Sequence, residues 1–269
     1  MSDLERMPPG TIDAHVHIGR DRYGPSSAYA AVMDRLGIAA AVLVARQWQF
    51  DNTELLMAAQ AAPVRFRVVA AVDLLAPGAA DVLERLIAAG IAGIRVDPEW
   101  LMSAPDPVWR AIDAAGLVVS VVPKVELIAA IEFARALARR QCPVRLEHLG
   151  GIRPVEMDRA DGRRRAILAL ADQPNVSMLW SGMWLNAGSP RPYPTAHDLL
   201  DQVLDAFGAE RLCWSGDWNR PGPPIGSHID DADYAAEADL VTRLAGTDAP
   251  SILGGTARRL FGFGDPPGG

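Results

Sequence analysis

The chain has 269 residues, 49% hydrophobic and 22% charged, which suits a globular protein with ample apolar material for a core. A formal net charge of -7 with no basic stripe excludes a nucleic-acid partner held by phosphate neutralisation. No run approaches the ~18 apolar residues of a membrane span, and the start of the chain lacks the basic-then-apolar layout of a secretory signal, so a cytoplasmic location is expected.

Short, nearly continuous apolar runs alternate with Ala/Leu/Arg-rich stretches of helical period. In chain order, strands are predicted at 11–16, 39–44, 67–72, 93–96, 118–122, 144–148, 176–179 and 212–215. Helical patterns cover 79–89, 125–140, 163–171 and 196–207, and Gly37, Gly90 and Gly116 fall where left-handed C-caps belong. Eight strands alternating with helices predict a single (β/α)8 barrel, residues 1–264, with a disordered tail at 265–269. The rival, a doubly wound open sheet, calls for a Gly-rich phosphate loop after the first strand, and residues 13–20 have none. The Pro/Gly stretches 187–194 and 219–227 follow strands seven and eight and read as elaborated active-site loops. Cys142 and Cys213 lie in apolar runs without metal-type spacing and read as buried free thiols of a reducing compartment.

In a barrel, polar residues at strand C-termini gain weight, because that face holds the active site. The first strand ends in Asp13-Ala14-His15-Val16-His17, and residues two apart point the same way, so both imidazoles share a side. The sixth delivers His148 and the eighth, through Ser215-Gly216, Asp217. Taken singly, His148 could be a core histidine bonded to a carbonyl and Asp217 a helix cap. Together on one rim they can bind a divalent ion, or polarise a carbonyl while the carboxylate deprotonates water.

With these stretches in view the chain resembles the amidohydrolase superfamily, in its subgroup of small barrel hydrolases and decarboxylases. The resemblance is carried by Asp13-Ala14-His15-Val16-His17, Gly93-Ile94-Arg95-Val96, Glu147-His148-Leu149-Gly150-Gly151, the stretch from Arg211 to Trp218, and the closing Ala257-Arg258-Arg259-Leu260-Phe261. It implies a (β/α)8 barrel and a water activated by Asp217. Metal-dependent members carry a further histidine at the end of strand five, where this chain has Val122, and strand four offers no lysine for a bridging carbamate. A binuclear centre is therefore not expected. One zinc or manganese on His15, His17 and Asp217 would suffice. The alternative is a metal-independent site, as in the similar 2-pyrone-4,6-dicarboxylate lactonases, where histidines donate to the carbonyl and Asp217 is the base.

Lys124, the single lysine among 26 basic residues, follows strand five. It could neutralise Asp217 or hold a substrate carboxylate, or simply be a solvated lysine at a helix start. Arg95, inside an apolar strand, needs an anionic partner: a substrate carboxylate, Asp97 or Asp73. Arg46, Arg191 and Arg220 are weaker candidates for the same role. Trp48, Trp100, Trp184 and Trp218 follow strand ends, where indoles would favour a planar or hydrophobic substrate. Glu147 and His228 could lie near the site, although strand alternation is expected to turn Glu147 away from the direction of His148; His197 reads as structural.

The expected function is a hydrolase opening a lactone or cyclic ester of a small carboxylated compound. His15, His17 and His148 polarise the carbonyl, Asp217 is the base, and Arg95, Lys124, Arg46, Trp184 and Trp218 contact substrate. The alternatives are a metal-dependent decarboxylase of the same superfamily and a non-catalytic metabolite-binding barrel. The expected partner is a small molecule, with no nucleic acid and no membrane; the oligomeric state is left open.

Overall fold

The computed structural model describes residues 6–19, 23–218 and 229–264. Eight parallel strands pair in chain order: β1 (Ile12–Val16), β2 (Ala40–Val44), β3 (Phe66–Ala71), β4 (Gly93–Val96), β5 (Val118–Val121), β6 (Val144–Leu146), β7 (Val176–Ser181) and β8 (Leu212–Ser215). The ring is drawn together beyond β8, where Trp218 bridges to Val16 and its carbonyl accepts the His17 N–H at 3.0 Å. The fold is the (β/α)8 barrel that the alternation of periods predicts.

The outer layer runs α1 (Ser26–Leu36), α2 (Thr53–Ala61), α3 (Ala79–Ala88), α4 (Pro98–Ser103), α5 (Asp106–Ala115) and α6 (Val125–Ile128). It continues with α7 (Ile131–Leu137), α8 (Gly162–Leu168), α9 (Met183–Asn186), α10 (His197–Phe207), α11 (Asp231–Ala245) and α12 (Thr256–Phe261). Gly37 and Gly116 close α1 and α5 at φ 79 and 62, left-handed angles that suit a residue without a side chain. The stretch expected as one helix at 125–140 divides into α6 and α7, because Ala130 turns extended (ψ 144); both pieces meet α4, and α6 also packs on α8. Among the described residues no helix is long and apolar enough to cross a membrane.

Strands covered on both faces read as unbroken apolar runs, but alternation still sorts their side chains into two cores. Val42, Val44, Val69, Val118, Leu179 and Cys213 fill the barrel interior, which Phe261 and Phe263 plug at the end where the strands begin. Arg67 lies 4.7 Å from the Phe263 ring centre and donates to the Gly262 carbonyl at 2.8 Å. The opposite parity, including Leu43, Ile94, Val119 and Trp214, packs beneath the helices. Cys142 and Cys213 are buried free thiols, and burial pushes them up to about 12 and 11. The loop at 219–227 and the tail at 265–269 lie outside the described residues, as do Arg220 and His228.

Candidate active site

A cavity of about 450 Å³ opens at the C-terminal ends of the strands, its wall including His17, Arg95, His148 and Asp217 with Gln47, Lys124, Arg153 and Asn186. How β1 delivers its histidines depends on one extra residue. Asp13 pairs with Ala41, yet Val16 pairs with Leu43, so β1 spends three steps where β2 takes two. The bulge reverses the alternation: Ile12 and Ala14 lie in the inner core, Val16 in the outer one. A regular strand would have sent His15 and His17 outward with Asp13, whose carboxylate sits under the helices and accepts from Tyr29 and Tyr234 at 2.7 and 2.9 Å.

His17 Nδ1–H donates to the Val44 carbonyl at 2.8 Å, which leaves Nε2 with a free lone pair. Burial and the nearby Arg95 lower His17 to about 3, and burial with the neighbouring His148 and His17 holds His15 well below the usual range. Both rings are therefore neutral at pH 7, the state that metal ligation requires. Their Nε2 atoms lie 3.2 Å apart. If His15 Nε2–H donates to His17, the buried His15 Nδ1 has no partner. If the proton sits on Nδ1, it faces Glu147 Oε1 at 3.8 Å, and both Nε2 lone pairs are offered outward. His15, His17 and Asp217 bring one ligand atom each to within 4.8 Å of one another, and two neutral imidazoles with a carboxylate are a donor set that fits a divalent ion.

Asp217 follows β8 in the left-handed region (φ 57), its N–H donating to Ser215 Oγ at 2.8 Å. Ser215 Oγ also lies 2.6 Å from Asp13 Oδ1 and 2.9 Å from the His15 carbonyl, so a single hydroxyl ties Asp217 to β1 across the barrel seam. Gly216 between them admits no side chain: a Cβ there would stand 2.2 Å from the Tyr234 ring. Burial raises the Asp217 carboxyl above the ordinary carboxylate range, and raises Asp13 to about 6 against the pull of its hydroxyl donors.

On β6 alternation does not separate Glu147 from His148: both bring a ligand atom to within 4.8 Å of His15. Glu147 keeps the inward parity of Arg145, whereas His148 reaches the mouth because the strand ends at Leu146 and the backbone turns left-handed at His148 and Leu149 (φ 47 and 56). His148 Nδ1 is held 2.7 Å from Ser181 Oγ, and its ring centre lies 4.7 Å from that of His15. Glu147 is the partner of Arg95, which grips both its oxygens (Nη2 to Oε2 2.7 Å), so neither Asp97, Asp73 nor a substrate carboxylate is needed to match that guanidinium. Ser120 donates to Glu147 at 2.8 Å and accepts from the wholly buried Arg145. Burial alone would raise Glu147; Arg95 and its other cationic neighbours outweigh it and hold the carboxyl at about 2. Glu147, Ser120 and Arg145 were not expected as site residues, although the parity of Arg145 was there to be counted.

The remaining candidates separate. Val122 lines the cavity in the place of the expected histidine. Lys124 lines it too, but its ammonium pairs with Asp97 and Glu99 at 2.6 and 2.9 Å instead of Asp217. Arg46 is exposed and off the cavity wall; its neighbour Gln47 is on it, donating to Asp97 at 3.2 Å. Trp184 and Trp218 stand behind the wall: the Trp184 indole donates to the Gly216 carbonyl at 3.0 Å, and Trp218 packs 5.5 Å from the Tyr29 ring. Arg191 pairs with Asp230 at 2.9 Å, and His197 begins α10. Arg46, Lys124, Trp184 and Trp218 all stand two or three residues past a strand end, where turn geometry and not strand period sets direction.

The sequence profile of the amidohydrolase family matches residues 12–263. An L-fucono-1,5-lactonase of Burkholderia ambifaria is 31% identical over 97% of this chain and 91% of its own length. Among solved structures, a Pseudomonas putida protein named for 2-pyrone-4,6-dicarboxylic acid hydrolysis superposes with a TM-score of 0.77 at 24% identity, covering 97% of this chain and 100% of that one. An amidohydrolase of Burkholderia multivorans with bound zinc gives 0.73 at 23% identity over 94% and 99%. At those identities the two structures speak for the fold alone.

Proposed function

The chain belongs to the amidohydrolase family, and from that premise we propose that it hydrolyses the 1,5-lactone of a neutral, polyhydroxylated sugar acid. The observation that carries this reading is a base without a free cation beside it. Asp217 is buried against two neutral histidines, while every cation described on the cavity wall is matched by a protein carboxylate: Arg95 by Glu147, Lys124 by Asp97 and Glu99, Arg153 by Glu156. A carboxylated substrate, the expectation from composition of the rim, would find no unmatched guanidinium there. Ring hydroxyls suit Asn186, whose side chain both donates and accepts. The Burkholderia ambifaria relative, by its name, opens a lactone of this class.

His15, His17 and Asp217 would hold one divalent ion, and two imidazoles with a carboxylate suit zinc, the metal of the Burkholderia multivorans structure. Bound there, zinc supplies polarisation of the lactone carbonyl and a more acidic water. Asp217 accepts a proton from the attacking water as its oxygen bonds to C1. His148, steadied by Ser181, donates to the carbonyl oxygen as negative charge gathers on it. When the C1–ring oxygen bond breaks, Asp217 returns the proton to the departing oxygen, and an open-chain hydroxy acid leaves.

Each turnover releases a proton at neutral pH, so an indicator assay with zinc-loaded protein tests the reading directly. Turnover of a neutral hexono-1,5-lactone but not of 2-pyrone-4,6-dicarboxylate is expected. The reverse preference rejects the neutral substrate, and inactivity on both rejects lactone hydrolysis.

A further inference from the structure

We propose that an aromatic corner beside the cavity is a subsite for a small alkyl substituent, which makes the enzyme select a lactone whose ring carries methyl over one carrying hydroxymethyl. The proposal rests on the lactone reading above and adds to it a determinant of specificity.

The corner is a hollow of about 10 Å³, room for a single methyl- or water-sized group, walled by Trp48, Phe50, Ala71, Trp100 and Val122. It shares Gln47, Arg95 and Val122 with the main cavity, so a substituent on a ring bound there can enter it. The polar groups on its wall have partners elsewhere. Asp97 is bound by Lys124 and Gln47, and Arg95 by Glu147 and the Ala45 carbonyl. A buried water needs two to four polar partners, and a hydroxyl needs replacements for those it loses to water, so this hollow favours a methyl over either.

The residues that wall it are unusual in ways that packing alone does not explain. Trp48 is 57% exposed and holds φ 65, an angle that a bulky side chain seldom adopts. In that conformation its indole stands perpendicular to Trp100, ring centres 5.1 Å apart, and the Phe50 ring centre lies 6.2 Å from that of Trp100. A strained, half-exposed indole fixed at a cavity edge is the arrangement expected of a ligand contact.

The test compares kcat/KM for L-fucono-1,5-lactone, whose C6 is a methyl, with L-galactono-1,5-lactone, the same ring with C6 hydroxylated. An apolar pocket discriminates such pairs by about ten- to a hundredfold, and the wild type is expected to favour the methyl lactone within that range. Trp48→Ala and Phe50→Ala, both at exposed positions where folding is not at stake, should each bring the ratio toward unity by slowing the methyl lactone more than the hydroxylated one. Hydrolysis of both lactones at a wild-type ratio near one, or a ratio unchanged in both variants, overturns the subsite and leaves the lactone reading standing. Failure to hydrolyse either overturns the lactone reading, and the subsite with it.

Discussion

Two buried polar clusters meet at His15 and are finished differently. On one side both oxygens of Glu147 receive hydrogen bonds, from Arg95 and Ser120, and Arg145 braces the serine. On the other, the Nε2 atoms of His15 and His17 and the Asp217 carboxylate lie together beside open space, with Val44 and Ser215 bonding His17 and Asp217 from behind. Charge matched within the protein is closed to a ligand; charge left facing a cavity is free to meet one. Isolated burial does not distinguish the two, since all these groups are nearly inaccessible. The direction of their shifts does: Glu147 is held low by cations, Asp217 is pushed up by burial without enough of them.

The sharpest way to break that contrast is Asp217→Asn. Loss of the base should lower kcat by roughly 10²–10⁴ with thermal stability unchanged or improved, because a buried unmatched carboxylate is removed. A melting temperature that falls in step with activity would put Asp217 in the structural cluster instead. Glu147→Ala should do the opposite first: urea unfolding should show a loss of about 3–5 kcal/mol, since Arg95 and Arg145 are left buried without their anion. Restored stability in Glu147→Met combined with Arg95→Met would confirm that the pair, and not the packing, was lost.

Metal uptake separates the clusters again. His17→Asn should weaken zinc binding by at least about 100-fold, measured by competition with a chromogenic chelator. Ser120→Ala, on the closed side, should leave it nearly unchanged. The pH dependences should also diverge. The Glu147 pKa is depressed, so its stabilisation is complete above the ordinary value of 4.5 and is lost as pH falls from there toward about 2. The Asp217 pKa is raised and catalysis needs its carboxylate, so in chelated protein kcat/KM should begin to fall at a pH above the ordinary 3.8, before the Glu147 contribution to stability is lost. A bound cation favours the carboxylate and should move that activity limb back toward acid. The smallest effect is expected at Lys124. Its half-exposed pairing with Asp97 and Glu99 contributes at most ~1 kcal/mol, and Lys124→Ala should leave kcat within about twofold.

Much of the fold was legible because local period reports it. β4 and β8 fall where alternating apolar runs place them, and the others differ by a residue or two at one or both ends. The residue types of the open cluster were legible as well, since His15, His17, His148 and Asp217 each stand at a strand end. Their directions were not. Counting by twos works within a strand of regular register, but the β1 bulge is defined only against β2, and the turn at His148 begins where β6 has already ended. The indoles of Trp184 and Trp218 looked like rim residues for the same reason, and both turned out to be buttresses.

By itself, then, the sequence determined the barrel and the rim on which His15, His17, His148 and Asp217 gather, because hydrophobic period and strand ends are properties of short segments. Which of the buried charges would meet was decided by the tertiary structure. Arg95 and Glu147 are fifty-two positions apart, and only closure of the ring sets that guanidinium against Glu147 and leaves Asp217, among the described residues, with no ion pair of its own. Long-range pairing of charge depends on the register of neighbouring strands, and register is summed over the whole sheet before any single residue shows it.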